Sequence, residues 1–109
     1  MKALEREILL SFWKVHILHH AGEEPLHGHW MLTELQRHGY EISPGTLYPL
    51  LQRMERLGWL KSKASPRRGR ARKDYRLTAK GRRVLDLISE HITELYDEVV
   101  RGVEAKGKQ

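Results

Sequence analysis

The sequence contains no cysteine among its 109 residues and has only one phenylalanine and four prolines. Without cysteine there are no disulfide bonds, thiolate metal ligands or thiol nucleophiles, and a reducing compartment is permitted. No apolar run approaches the roughly 20 residues that a membrane-spanning helix needs. Glu5 and Glu7 stand where a signal peptide needs a basic stretch followed by an apolar one. We therefore expect a soluble, cytoplasmic protein that does not contact a membrane.

Signatures of catalysis are also lacking. No serine stands in a nucleophile elbow, no glycine-rich phosphate loop is present, and the carboxylates are not paired near a histidine. Gly69 lies in a basic, turn-forming stretch and is interpreted as a turn residue. We expect no enzymatic activity and no required cofactor.

Positive charge is what the chain has in excess. Twenty lysines and arginines against fourteen acids give a formal net charge of +6 and a pI near 9.8. This balance favours a polyanionic partner, because each cation placed against a phosphate releases a condensed counterion. Charge alone does not distinguish DNA from RNA or an anionic membrane. The length fits one domain with a modest core that a second subunit would complete.

The first predicted helix runs from Leu4 to about His20 and is apolar on two sides. One stripe contains Leu4, Ile8, Phe12 and Val15, and the other contains Leu9, Trp13 and Ile17. A simple surface helix needs only one such face. We therefore expect one stripe to cover the core, and we assign Leu9 and Trp13 of the other stripe to a subunit interface.

Two shorter helices follow, separated by a tight turn. The second is predicted from about His27 or Gly28 to His38, and Gly39 is the left-handed residue that ends it. Ser43 and Pro44 are typical of the N-cap and first turn of a third helix. The core side of that helix carries Leu47, Leu50, Leu51, Met54 and Leu57, and its other side carries Gly45, Pro49, Gln52, Arg53 and Arg56, flanked by Thr46 and Tyr48.

A basic hairpin and a long final helix complete the chain. Residues 59–64 and 73–77 have the composition of strands, joined by a basic connection over residues 65–72. Thr78 is the predicted N-cap of the final helix. Its apolar residues recur at spacings of three and four, as in helices that pack along their lengths: Leu85, Ile88, Ile92, Leu95 and Val99.

This order of elements predicts a mainly α fold with a small β-hairpin (α+β), a winged helix-turn-helix with a C-terminal dimerisation helix. Residues 1–78 would form the DNA-binding domain, and residues 79–109 the dimerisation helix, packed with the N-terminal helix as one structural unit. A helix fits the DNA major groove, and a basic hairpin beside it can follow the phosphates or enter the minor groove.

Three segments form a distinctive set: Pro25-Leu26-His27-Gly28; Ser43-Pro44-Gly45-Thr46-Leu47-Tyr48-Pro49-Leu50-Leu51 with Arg53 and Glu55; and Tyr75-Arg76-Leu77-Thr78 followed by Gly81. In residue identity and spacing this set resembles the PadR family of winged helix-turn-helix regulators. The resemblance is to the compact subgroup of that family, which has a single C-terminal helix. The resemblance implies a homodimeric regulator, usually a repressor, whose third helix reads the groove. Some relatives hold flat ligands against a tryptophan of the last helix. Trp13, Trp30 and Trp59 lie elsewhere, so we do not expect that pocket.

We accordingly predict a homodimeric transcriptional repressor that binds a pseudo-palindromic double-stranded operator and is released by a small-molecule or metal effector. Predicted base contacts are Thr46, Tyr48, Gln52 and Arg53, and predicted phosphate contacts are Ser43, Lys61, Lys63, Arg67, Arg68, Arg70, Arg72 and Lys73. The predicted dimer interface contains Leu9, Trp13, Leu85, Ile88, Ile92, Leu95 and Val99.

Each of these assignments has a structural alternative. Thr46 and Tyr48 would then only cap or pack locally, and Arg53 would pair with Glu55 or Glu41. The hairpin would be a solvated loop, and the last helix would pack within its own subunit. At the level of the whole protein, the alternatives are a winged helix that docks a protein partner without specific DNA binding, and an RNA-binding protein. The RNA alternative is weaker, because the four tyrosines are not grouped on a strand as stacking platforms.

The histidines suggest a further hypothesis. His16 and His20 are four residues apart, so their imidazoles lie on one side of the first helix, as a transition metal requires. Two ligands do not make a site, and a third would come from His27, His29, His38, His91 or a carboxylate. We therefore hypothesise that a divalent metal ion acts as an effector and binds to His16 and His20.

Overall fold

This computed structural model describes residues 2–65 and 72–102, with side chains from residue 5, and within them it contains four helices and three short strands in the order helix, strand, helix, helix, strand, strand, helix. The helices are α1 (Lys2–Glu23), α2 (Gly28–Arg37), α3 (Pro44–Arg56) and α4 (Ala79–Val99), and the strands are β1 (Leu26–His27), β2 (Leu60–Ala64) and β3 (Lys73–Leu77). This arrangement confirms the predicted α+β fold. Within the described residues, no helix is long and apolar enough to cross a membrane.

Local chemistry determines where α2 and α3 begin and end. After α2, Gly39 adopts a φ of +95°, a left-handed conformation that a residue with a β-carbon rarely adopts. Ser43 is extended, with φ −104° and ψ 161°, and Pro44 opens α3, as predicted. After α3, Gly58 has a φ of +84° and turns the chain toward β2. The turn of the helix-turn-helix therefore occupies residues 38–43.

The sheet has three strands rather than the two that were predicted. β3 lies in the centre and pairs antiparallel with β2 on one side and with β1 on the other. Tyr75 is therefore opposite both Leu26 and Ser62. A two-residue strand has too little pattern to be recognised in a sequence, because its pairing partner lies almost fifty residues away.

The predicted end of α1 at about His20 is wrong, because the helix continues to Glu23. Ala21 is 4% exposed, so the last turn is held by packing against the core rather than by helix propensity. The carbonyl oxygen of Gly22 also accepts a hydrogen bond from Nη2 of Arg82 on α4, at 3.4 Å.

The core lies where α1, α2, α3 and the sheet meet. Its fully buried side chains are Trp13, Ile17 and Leu18 from α1, Met31 and Leu35 from α2, Leu47, Leu51 and Met54 from α3, and Leu60 from β2. Trp13 meets Tyr40 of the helix-turn-helix edge to face, with ring centroids 6.0 Å apart. The turn before α3 is therefore packed directly on the middle of α1.

The two apolar stripes of α1 have roles opposite to those assigned from the sequence. Trp13 is 1% exposed and lies in the core of its own chain, and Leu9 is half-buried against that core, so Trp13 has no surface to offer another subunit. The other stripe faces outward, with Ile8 63% and Phe12 48% exposed. Periodicity showed two stripes, but only the tertiary arrangement determines which one the core covers.

α3, the hairpin and α4 meet at a junction formed by Gly58, Trp59, Thr78 and Gly81. The Thr78 hydroxyl donates to the carbonyl oxygen of Gly58 and accepts from the backbone N–H of Gly81 at 2.9 Å, which confirms Thr78 as the N-cap of α4. The Thr78 N–H donates to the carbonyl oxygen of Trp59 at 3.1 Å. Gly81 lies so close to that carbonyl that a β-carbon would overlap it.

We therefore predict that Gly81→Ala destabilises the protein by up to about 2 kcal/mol. Overpacking costs about 1–3 kcal/mol, and the overlap with a backbone carbonyl puts Gly81→Ala toward the upper end, so the cost outweighs the roughly 1 kcal/mol that alanine gains over glycine inside a helix. The measurement is the free energy of unfolding from urea denaturation. Gly45→Ala in the first turn of α3 is the control, because only the Ser43 side chain lies near its β-carbon, at 3.7 Å. If the two variants have the same free energy of unfolding, the close contact at Gly81 does not contribute to stability.

Candidate nucleic-acid interface

The outward side of α3 is polar and cationic along its length. Pro49, Gln52, Arg53 and Arg56 are exposed, whereas Leu47, Leu51 and Met54 on the opposite side have no solvent-exposed surface. Pro49 lies inside the helix, in its second turn, without ending it. α3 is thus fixed to the core by one side and presents amide and guanidinium donors to solvent on the other.

Tyr48 combines local packing with exposure. Its ring lies over Gly28 at the start of α2, so closely that a β-carbon on Gly28 would overlap it. The side chain is nevertheless 40% exposed. The two segments Pro25–Gly28 and Ser43–Leu51 therefore belong to one contact, in which a glycine on α2 leaves room for the tyrosine of α3.

The start of α3 brings in a residue that sequence reasoning missed. Nη1 of Arg6, on α1, donates to the Thr46 hydroxyl oxygen at 3.4 Å, and the Ser43 hydroxyl lies 3.5 Å from the same oxygen. Ser43 is the N-cap residue, but its side chain does not cap the backbone. Arg6 thus adds a guanidinium beside the first turn of α3, where exposed N–H groups favour anions. No sequence pattern links positions 6 and 46.

The end of α3 is tied to the hairpin through Glu55 rather than through Arg53. One carboxylate oxygen of Glu55 accepts hydrogen bonds from the Ser62 hydroxyl at 2.6 Å and from the Ser62 backbone N–H at 3.0 Å. The bond from the Ser62 hydroxyl is the main reason that the pKa of Glu55 lies below its usual value, and the Lys73 ammonium lowers it further. The wing and α3 therefore keep a fixed relation.

The hairpin cations divide between two faces of the sheet. Side chains alternate along a strand, so Lys61 and Lys63 lie on the face opposite to Ser62, which contacts α3. Lys73 lies on the same face as Tyr75 and Ser62, and it acts electrostatically on Glu55. Of the predicted phosphate contacts on the described strands, Lys73 lies on the α3 side and the two lysines of β2 on the outer side.

Arg72 differs from the other predicted phosphate contacts. Its side chain is 31% exposed, and its Nε lies 3.9 Å from a carboxylate oxygen of Asp74. It lines a groove together with Glu23, Glu24 and Trp30. Its guanidinium is therefore directed along the protein surface toward acids. The predicted contacts Arg67, Arg68 and Arg70 lie outside the described residues.

The residues predicted for a dimer interface fall into two groups. Leu85 is 8% exposed and, like Trp13, belongs to the core of its own chain, so its assignment to the interface is wrong. Ile88 is half-buried, and Ile92, Leu95 and Val99 are exposed, Val99 by 69%. Only Gly81 and Leu85 of α4 are buried, so the helix extends beyond the core after Leu85.

The histidines proposed as metal ligands are brought together with a third one. A ring nitrogen of each of His16, His20 and His38 lies within 4.8 Å of the other two. His38 is the C-cap residue of α2, at the start of the turn before α3. Among the alternatives that the sequence left open, the structure places His38 beside the pair.

Comparison with known proteins identifies the family to which this chain belongs. The model of the transcriptional regulator PadR-like family matches residues 17–87, more than half of the chain. This chain belongs to the PadR-like family of transcriptional regulators. The resemblance noted in the sequence is therefore confirmed, and so is the DNA-binding winged helix as its fold.

Individual PadR-like relatives agree over nearly the whole length. Transcriptional regulator Rv3488 of Mycobacterium tuberculosis is 46% identical over 97 residues, which cover 89% of this chain and 91% of that protein. A PadR family transcriptional regulator from Eggerthella lenta superposes with a TM-score of 0.79 at 31% identity, covering 92% and 88% of the two chains. A PadR-like regulator from Bacillus cereus gives 0.80 at 25% identity, covering 92% and 99%. These relatives are regulators, which is a non-enzymatic role.

The Glu55–Ser62 contact generates a pH-dependent prediction for this PadR-like chain. Glu55→Gln should lower the free energy of unfolding by about 1–2 kcal/mol near pH 7, because hydrogen bonds to a charged acceptor are stronger than those to an amide. The folded pKa of Glu55 lies below the ordinary 4.5, so its stabilisation is complete above that value and is lost as the pH falls through the folded pKa. The difference between the two proteins should therefore shrink below about pH 4.5.

Urea denaturation at several pH values measures this difference. Glu90→Gln, at an exposed position of α4, is the matched control and should track the wild type throughout. A difference for Glu55→Gln that stays constant down to about pH 3 would show that the charge of Glu55 does not hold the hairpin.

Proposed function

We propose that this PadR-like chain is a homodimeric repressor that binds a pseudo-palindromic double-stranded operator through α3 and the wing. The observation that carries the proposal is the outward side of α3, where Gln52, Arg53 and Arg56 are exposed on a helix whose other side is fully buried. Arginine and glutamine are the side chains that pair with guanine and adenine edges in the major groove. A rigid support lets such side chains discriminate between bases.

The cations around α3 supply the electrostatic part of binding. Arg6 beside Thr46 is at the start of the helix, and Lys73 is on the α3 side of the hairpin. In this proposal both contact phosphates on either side of the groove that α3 enters. Lys61 and Lys63 contact phosphate where the duplex passes the outer face of the wing.

Two substitutions separate reading of bases from attraction to phosphate. Arg53→Ala should weaken operator binding by about 1–3 kcal/mol and relax the preference at one base pair of each half-site. Lys73→Ala should weaken binding to every duplex and reduce the slope of log affinity against log salt by about one unit per subunit. Fluorescence anisotropy with labelled duplexes at several salt concentrations measures both effects.

The matched control is Arg101→Ala, which removes one cation that pairs with Asp97 at the end of α4. It should leave the salt slope unchanged. The operator for these titrations comes from selection out of a random duplex pool, in which an inverted repeat should be enriched. Absence of any enriched sequence, or an equal salt slope for all three variants, contradicts the proposal and favours docking of a protein partner.

The homodimer rests on apolar surface that one chain leaves exposed. Ile92, Leu95 and Val99 recur along the part of α4 that extends beyond the core, and Ile8 and Phe12 form an exposed stripe on α1. An identical stripe on a second copy, related by a twofold axis, would cover them with side chains of matching spacing. The same twofold axis would place two α3 helices on successive faces of the duplex.

Leu95→Glu is therefore expected to convert the dimer to a monomer, because it buries a charge in the middle of the shared stripe. Thr93→Glu introduces the same side chain about a third of a turn away from the stripe and is expected to remain dimeric. Sedimentation equilibrium of both variants and the wild type measures the outcome. A monomeric wild type at micromolar concentration, or a dimer that survives Leu95→Glu, refutes this interface.

Release of the operator by an effector is the remaining part of the proposal. α1 packs on the turn before α3 through Trp13 and Tyr40, and its outer stripe faces the proposed second subunit. A ligand that shifts α1 would therefore change the separation of the two α3 helices, which requires only a few kcal/mol of difference in binding between two states.

A further inference from the structure

Four potential ligand groups meet where α1 crosses the end of α2. His16 and His20 are on α1, Glu34 is on α2, and His38 caps α2. Glu34 Oε2 lies 3.0 Å from Nε2 of His38 and 3.5 Å from Nε2 of His20. We propose that these residues bind a divalent transition metal of the zinc class, with His16, His20 and His38 as ligands and Glu34 completing the site.

The spacing of the residues supports this arrangement. His16 and His20 are separated by four residues on one helix, and Glu34 and His38 by four residues along the other, so each pair lies on one side of its helix. The two pairs face each other, which brings three imidazoles and one carboxylate together from two helices. Zinc sites take this number and type of ligand in a tetrahedral arrangement.

The distances require only side-chain adjustment. Zinc–nitrogen bonds of about 2.0–2.1 Å in a tetrahedron separate the ligand nitrogens by about 3.3 Å. The ring nitrogens of the three histidines already lie within 4.8 Å of one another. Rotations that move each nitrogen by about 1 Å therefore close the site around an ion without moving the helices.

Residues around the cluster already hold its members. The Tyr40 hydroxyl oxygen lies 3.3 Å from Nε2 of His16, and histidine ligands are commonly oriented by such a bond to the ring nitrogen that does not bind metal. Arg37 binds both carboxylate oxygens of Glu34, at 3.1 and 2.8 Å, which orients the carboxylate. In the metal-bound site, the Oε2 lone pair that now meets Nε2 of His38 at 3.0 Å would turn to the ion. Arg37 and Tyr40 would thus form the outer layer of the site.

The protonation states also suit metal binding. Burial, followed by the charges of neighbouring histidines, lowers the pKa of His16 and His20, so both imidazoles are neutral near pH 7, as ligands must be. The Arg37 hydrogen bonds are the main reason that the pKa of Glu34 falls to about 2, so that carboxylate is ionised. The site therefore offers neutral nitrogens and one negative charge to a cation.

The ligand types define the class of metal. Imidazole nitrogens favour zinc, cobalt, nickel and copper, whereas calcium and magnesium prefer oxygen ligands. The chain has no cysteine, so thiolate-bound metal centres are excluded. Zn²⁺ and its spectroscopic substitute Co²⁺ are the probes that fit this set.

A second cluster, His19, His20 and Glu23, shares one residue with the proposed site. Its members all come from the last turns of α1, and the His19 and Glu23 side chains are more than half exposed. The proposed site differs because it joins two helices and because His16 and His20 are half-buried, so these two ligands have less water to lose when they bind an ion. Substitution of His19 or of His38 distinguishes the two clusters.

Metal binding is tested on the 109-residue chain without DNA, so a failure to bind metal is independent of the proposed operator binding. After treatment with a chelator, the protein is titrated with Zn²⁺ by calorimetry and with Co²⁺ by visible absorption. The expected result is about one ion per chain, with the intense visible bands of tetrahedral Co²⁺. His16→Gln and His38→Gln should each weaken Zn²⁺ binding at least tenfold and abolish those bands.

His19→Gln and His29→Gln, both at exposed positions, are the matched controls and should bind as the wild type does. His38 lies at the exposed end of α2, outside the core, and circular dichroism of each variant checks that the fold is retained. Absence of stoichiometric binding to the wild type overturns the proposal and leaves the cluster as a hydrogen-bond network around Glu34. Loss of binding in His19→Gln with retention in His38→Gln also overturns it.

Discussion

The close approach of α4 to the end of α3 is the constraint on which the geometry of this PadR-like chain depends. Thr78 bonds to Gly58, Trp59 and Gly81 at once, and Gly81 leaves no space for a side chain against the Trp59 carbonyl. This one contact fixes where the wing leaves α3 and the direction in which α4 departs. The position of the wing beside α3 and the position of the exposed apolar side of α4 are therefore set by the same few atoms.

The sequence was sufficient wherever a boundary depends on local chemistry. Gly39 ends α2 through its left-handed backbone, Pro44 opens α3 through its fixed φ, and Thr78 caps the N–H of Gly81 three residues on. These roles depend on neighbouring residues in sequence, so they could be predicted without knowledge of the fold. β1 and the last turn of α1 could not be predicted, because both exist through pairing or burial against distant residues. The stripes of α1 were assigned the wrong way round, since periodicity identifies apolar faces but not what covers them.

For the candidate site, the same distinction holds. The outward residues of α3 followed from helical spacing and from the PadR resemblance, and the structure exposes them. Arg6 and His38 could not be placed, because each reaches its neighbours only through tertiary packing. The division of the hairpin cations between two faces depends on strand register, which composition does not report. The number of basic residues therefore indicated a polyanionic partner, but it did not indicate which face of the hairpin each cation lies on.

α4 is buried only at Gly81 and Leu85, and its later turns, to Val99, rely on their own helix propensity. An isolated helical segment of about 14 residues is marginally stable in water, so the order of these turns depends on whatever covers their apolar side. In the proposed dimer a second copy covers that side, so these turns are expected to fray when the dimer dissociates on dilution. The helical content of the chain would then rise with its own concentration, so the level of gene expression would set how much of the protein is fully folded.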